Sequence, residues 1–169
     1  KQINTTTSGN VLEIWHIEDG NNTIRWGQGV SLNNKSSTNW EYDNDEGGGH
    51  YARIDVHGGG NNFVGYQQNG GSTTGHIFTS LIFSDNNDIW VRQKNNGQKE
   101  LNLYTTSDGN DIDIIQRTNG GEHTANINLH GSYPTTLSLI QQGQTDQSYS
   151  LTQTCQTIGG CSISVTQGN

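Results

Sequence analysis

A seven-residue unit recurs six times along this chain of 169 residues, and it constrains the fold more than any other feature. The unit opens on a small polar residue, carries apolar residues at alternate places, and closes on Gln. Its copies open on Asn22, Asn62, Asn87, Asn110, Thr135 and Cys161 and close on Gln28, Gln68, Gln93, Gln116, Gln141 and Gln167. Strict alternation reads as a strand with one buried face. Successive copies start 40, 25, 23, 25 and 26 residues apart. Recurrence at a near-constant period marks a repeat architecture.

Between the copies lie partner segments that begin at Asn10, His50, His76, Lys99, His123 and Gln147. Two of them agree at alternate places: His50, Ala52, Ile54 and Val56 match His123, Ala125, Ile127 and Leu129. The segment after His76 is apolar in both phases, from Ile77 to Phe83, so its register stays open. Gly- and Asn-rich turns separate the strands, as at Gly58, Gly59 and Gly60 or Asn95, Asn96 and Gly97. Pro134 stands just before a strand, where a missing N–H is tolerated. The expected fold is all-β: a β-solenoid of about six strand-turn-strand rungs with parallel stacking, each rung adding about 4.8 Å. It covers 10–169, after a polar tail or docking arm over 1–9. An insertion at about 29–49 lengthens the first period.

The repeat gives the composition a purpose. Only 28% of the chain is hydrophobic, while Asn and Gln supply 35 residues. That balance fits either a disordered polar chain or a β architecture that uses carboxamides structurally. A buried amide without partners costs about 1–3 kcal/mol. Stacked rungs remove that cost, because each amide can donate to one neighbour and accept from the other. Asn22, Asn62, Asn87 and Asn110 are expected to form one ladder. Gln28, Gln68, Gln93, Gln116, Gln141 and Gln167 are expected to form a second. Gln147 and Gln153 bracket the last partner strand and join the set. Ile, Val and Leu, with Trp26, Tyr66 and Tyr149, are expected to fill the interior between the ladders.

Other classes are excluded. The net charge of -8 opposes nucleic-acid binding, which needs a basic surface. No apolar run approaches the roughly 18 residues of a membrane-spanning helix. Met is absent, which disfavours a helical bundle. The chain starts at Lys1 with no basic-then-apolar segment, and reads as a mature or trimmed product. Cys155 and Cys161 lack a CxxC spacing, and are expected to form a local disulfide in an oxidising compartment, with free thiols as the alternative.

The six His are the obvious candidates for chemistry. His50 and His57 are seven apart, as are His123 and His130, which places each pair on opposite faces of a strand. Stacking can bring His76 near His50 or His123, but two imidazoles make a poor metal site. Asp88, Asp111, Asp113 and Glu100 fall on the outward phase, where charge opposes sideways aggregation. The insertion holds Trp40, Tyr42, Asp43, Asp45 and Glu46. It reads as a solvated decoration in preference to a loop for a surface, a sugar or calcium, since the EF-hand spacing is not met. No catalytic residue, cofactor or metal is expected, and the chain is not expected to be an enzyme.

The residues carry a resemblance. A polar residue, five others, Gln, a turn and a second alternating strand is similar to the curlin repeat, Ser-x5-Gln-x4-Asn-x5-Gln. The likeness is best from Asn110 to Gln116, from Thr135 to Gln141 and from Gln147 to Gln153, and weaker between Asn10 and Phe83. The resemblance implies secretion, assembly into extracellular functional amyloid, a role in biofilm matrix and adhesion, and dependence on a nucleator and secretion machinery. The sequence departs from that pattern. The Asn after the turn is replaced by His50, His76, Lys99, His123 or Gln147, and the second closing Gln survives only at Gln153. The expected function is a structural subunit that polymerises with itself head-to-tail, without nucleic acid and without membrane insertion. The rivals are a secreted carbohydrate-binding β module, suggested by Trp15, Trp26, Trp40 and Trp90, and an ice-binding solenoid. The first predicts irregular strand spacing. The second needs a Thr array repeated on every rung.

Overall fold

The structure, a computed structural model, describes residues 10–18, 22–29, 49–57, 61–68, 75–83, 88–106, 110–117, 120–130, 135–154 and 161–168. Its elements are all strands: β1 (Leu12–Glu18), β2 (Asn22–Gln28), β3 (Ala52–His57), β4 (Asn61–Gln68), β5 (Phe78–Phe83), β6 (Asp88–Lys94), β7 (Leu101–Thr105), β8 (Asp111–Arg117), β9 (Ala125–His130), β10 (Thr136–Gln142), β11 (Ser150–Thr154) and β12 (Ser162–Gly168). The odd-numbered strands form one six-stranded sheet, in the order β1-β3-β5-β7-β9-β11. The even-numbered strands form the other, β12-β10-β8-β6-β4-β2. All neighbouring strands pair in parallel. The chain thus steps between two sheets as a β-solenoid, each rung giving one strand to each sheet. The all-β expectation holds, including the parallel stacking.

The core lies between the sheets, where apolar residues line up row by row. Ile89, Ile112 and Leu137 make one row and Val91, Ile114 and Leu139 the next. They face Phe78, Leu101, Ala125 and Ile127 from the other sheet. Burying each large aliphatic side chain stabilises the fold by about 1.5–3 kcal/mol. The open register after His76 is now fixed: Phe78, Ser80 and Ile82 are buried, while Thr79, Leu81 and Phe83 face outward. Ser80 is tolerated inside because its Oγ donates to the Ile54 carbonyl at 2.5 Å.

The register of β4 corrects the sequence reading. Gln67, not Gln68, pairs with Gln28 on one side and Gln93 on the other. Asn61, not Asn62, pairs with Asn22. Phe63 and Gly65 therefore face inward, and Tyr66 joins Val64 and Trp90 in a separate cluster on the outer face. Two Asn followed by two Gln satisfy either register locally, and a one-residue slip exchanges the faces of a strand. Trp26 decides between them. Its ring stacks on Phe78 at 4.6 Å. A Cβ built on Gly65 would lie 2.0 Å from that ring. Only a residue without a side chain fits beneath it.

The two ends of the solenoid differ. In β1 the register shifts between Ile14 and Ile17, a bulge on the edge strand. Trp15, at this bulge, is 55% exposed and stacks on the Arg53 guanidinium at 4.1 Å. At the other end, β11 and β12 pair regularly with β9 and β10. The tail over 1–9, Asn87, Cys155 and nearly all of the insertion lie outside the described residues.

Candidate functional site: an amide column and two open ends

The closing Gln residues are brought together in one unbroken column. Gln67 Nε2 donates to Gln28 Oε1 at 2.7 Å, Gln93 to Gln67 at 2.8 Å, and Gln116 to Gln93 at 2.9 Å. Gln141 donates to Gln116 at 2.8 Å, and Gln167 to Gln141 at 2.7 Å. The second amide hydrogen goes to a turn carbonyl. Gln28 reaches Tyr51, Gln67 reaches Ile77, Gln93 reaches Glu100 and Gln116 reaches Thr124, at 2.8–3.0 Å. Each inner amide is thereby satisfied in a buried site, as the stacking argument requires. The column has a direction: every Nε2 points toward the rung before it. Among the described residues, its first member, Gln28, has no donor-side Gln, and its last, Gln167, has no Gln donating to its Oε1.

The other expected ladder residues behave differently. Asn22 and Asn62 are described only through their backbones, and Asn110 is buried and donates to Thr105 Oγ1 at 3.3 Å. Gln153 pairs with Leu129, in a row continued by Thr105 and Ile82, so no amide stacks on it. A ladder needs a carboxamide at the same place in the adjoining rung, and this row has none. Carried back along the paired strands, the register sets Gln147 beside His123, followed by Lys99, His76, His50 and Asn10, so no amide stacks on it.

That last row is a second column; sequence reasoning weighed its His residues as metal ligands and otherwise treated its members as departures from a pattern. Each long member reaches carbonyls in the turn of the following rung. The His76 ring meets Gln98 O through Nδ1 and Lys94 O through Nε2, the latter at 2.8 Å. The Lys99 ammonium donates to Gly97, Gly120 and Gly121, the last two at 3.3 and 3.2 Å. The His123 ring meets Asp146 O at 3.1 Å and Gln142 O at 2.8 Å. These residues are buried because the turns leave carbonyls that only a side chain can satisfy. The signal was available: a nitrogen-bearing side chain opens the partner segment in every rung.

Burial shifts the protonation of two members, and a neutral His76 ring donates to only one of its two carbonyls. Burial pushes the His76 imidazole down to about 3, helped by His50, whose ring centroid lies 5.1 Å away, and opposed by the Lys94 and Gln98 carbonyls. Burial also pushes the Lys99 ammonium down to about 8, against the pull of Glu122. Because the folded value for His76 lies below its ordinary 6.5, the unfolded chain binds the proton first as pH falls. Stability is therefore lost as pH drops from 6.5 toward 3. We expect the urea midpoint to fall between pH 6.5 and 4.5, and His76→Gln to flatten that slope. An unchanged slope in the variant would assign the acid sensitivity elsewhere.

Cys161 immediately precedes β12 and is disulfide-bonded, and the chain has one other cysteine, Cys155. Among the described residues no group of three His, Cys, Asp or Glu side chains is placed to hold a metal ion. The outward Asp113 pairs with Arg92 at 2.5 Å, and Arg92 lies over Trp90 at 4.1 Å. Of the Trp residues weighed for sugar binding, Trp26 is core, Trp90 is covered by Arg92, and Trp40 lies outside the described residues. Comparison with family models, with curated proteins and with solved structures gives no match.

Proposed function

We propose that the chain is a structural subunit of an extracellular, curlin-like functional-amyloid fibre, polymerising head-to-tail by rung stacking and serving biofilm matrix and adhesion. The observation that carries this reading is the direction of the Gln column. Gln167 Oε1 at one end and Gln28 Nε2 at the other are complementary, so a second copy extends the column in register. Among the described residues both sheets end in strands with a neighbour on one side only, β1 and β2 at one end and β11 and β12 at the other. Ile163, 40% exposed on β12, continues the row of Leu137 and Ile112 and gives the junction an apolar contact. A disulfide at Cys161 suits an oxidising compartment.

The bulge in β1 favours a second reading, in which that edge is closed and the chain stays a monomeric solenoid. Electron microscopy after removal of denaturant separates the two. The fibre reading expects unbranched filaments with a 4.7–4.8 Å meridional reflection, as rung stacking requires. It also expects Gln167→Lys to slow their growth, since it sets a donor against Gln28. A monodisperse monomer at high concentration, with no filaments, would sink it.

A further inference from the structure

We infer that the outer face of the first sheet, across β5, β7, β9 and β11, is a binding groove for a neutral polysaccharide lying along the solenoid axis. The groove holds about 300 Å³ and is open along its length. One row of side chains, Thr79, Asn102, Asn126 and Ser150, runs straight across the four strands. Within it Asn126 Nδ2 donates to Asn102 Oδ1 at 2.9 Å. Amide and hydroxyl groups thus repeat at the strand spacing of about 4.8 Å. A second row contributes Tyr104 and Asn128. Asn128 stands beside Tyr104 in that row, half-buried at the floor of the groove.

Charge identifies the ligand class. Among the described residues that line the groove none is acidic or basic, although the chain carries a net charge of -8. A polyanion is repelled by the molecule as a whole, and the Glu100 carboxylate beside the groove is already engaged by Asn102 Nδ2 at 2.9 Å. A ligand rich in hydroxyls and without charge fits. Aromatic rings supply the apolar part. His57 lies 4.9 Å from Phe83, Phe83 lies 5.8 Å from Tyr104, and Tyr104 lies 5.4 Å from His130, centroid to centroid. They form a file along one margin, with Phe83 partly exposed. Ring faces of this kind pack against the C–H faces of sugars while the Asn amides bind hydroxyls. The groove lies within one copy, so the inference stands apart from the fibre reading.

Affinity electrophoresis of the monomeric protein at neutral pH tests it, with hydroxyethyl cellulose, dextran or alginate cast in the gel. Retardation is expected with at least one neutral polymer and not with the anionic alginate. Tyr104→Ala should weaken it roughly tenfold. Ser150→Arg, at an exposed place in β11 away from the core, should block the groove with a comparable loss. Retardation by neither neutral polymer, stronger retardation by alginate, or unchanged retardation of both variants would overturn the assignment.

Discussion

Gln93→Ala should lower the stability of the folded chain by about 3 kcal/mol or more, while Gln167→Ala should cost under about 1 kcal/mol. The same substitution in the same column has unequal effects because of what each removal leaves behind. Gln93 donates to Gln67 and to the Glu100 carbonyl and accepts from Gln116. Its loss strands two buried acceptors and one buried donor, each worth about 1–3 kcal/mol when left unpaired. Among the described residues Gln167 has only Gln141 beside it, and it sits exposed on the end strand β12, where water replaces what is lost. Urea unfolding at low protein concentration measures both variants. Equal losses would mean that the column is not the cooperative unit its hydrogen bonds describe.

Gly65→Ala should be the most damaging single-methyl addition, costing about 3 kcal/mol, at the upper end of overpacking effects. The new Cβ would lie 2.0 Å from the Cη2 and Cζ2 atoms of Trp26. The ring has no retreat, because Phe78 stacks on it at 4.6 Å. The remedy identifies the cause. In a Trp26→Leu background the ring is gone, and adding the methyl should cost little or fill part of the cavity. A double-mutant cycle should therefore show a coupling of at least about 1 kcal/mol between the two positions. Additive effects would place the strain at Gly65 in its backbone and not beneath the ring.

These two sites also mark the boundary of what the linear order of residues reveals. The six closing Gln were legible because a buried amide must recur in every rung to be satisfied. Five of the six were assigned to the right place. The exception, Gln68 for Gln67, falls where Asn61 and Asn62 precede Gln67 and Gln68, so that both registers fit the alternation. The ring that chooses between them lies on β2, in the preceding rung. Gln153 shows the opposite failure: it fits the repeat locally, yet its row in the neighbouring strands holds Leu129, Thr105 and Ile82.

The sequence by itself determined the all-β class, the period, the alternation that buries one face of each strand, and the Gln column. All of these follow from spacing along one strand or from recurrence between rungs. Only the tertiary structure decided the register of β4, the bulge that makes β1 unlike β11, and the work of His76, Lys99 and His123. Those three satisfy carbonyls 18 to 23 residues further on. Such partners become neighbours only when one turn is laid on the next, so the spacing of residues within a rung cannot announce them.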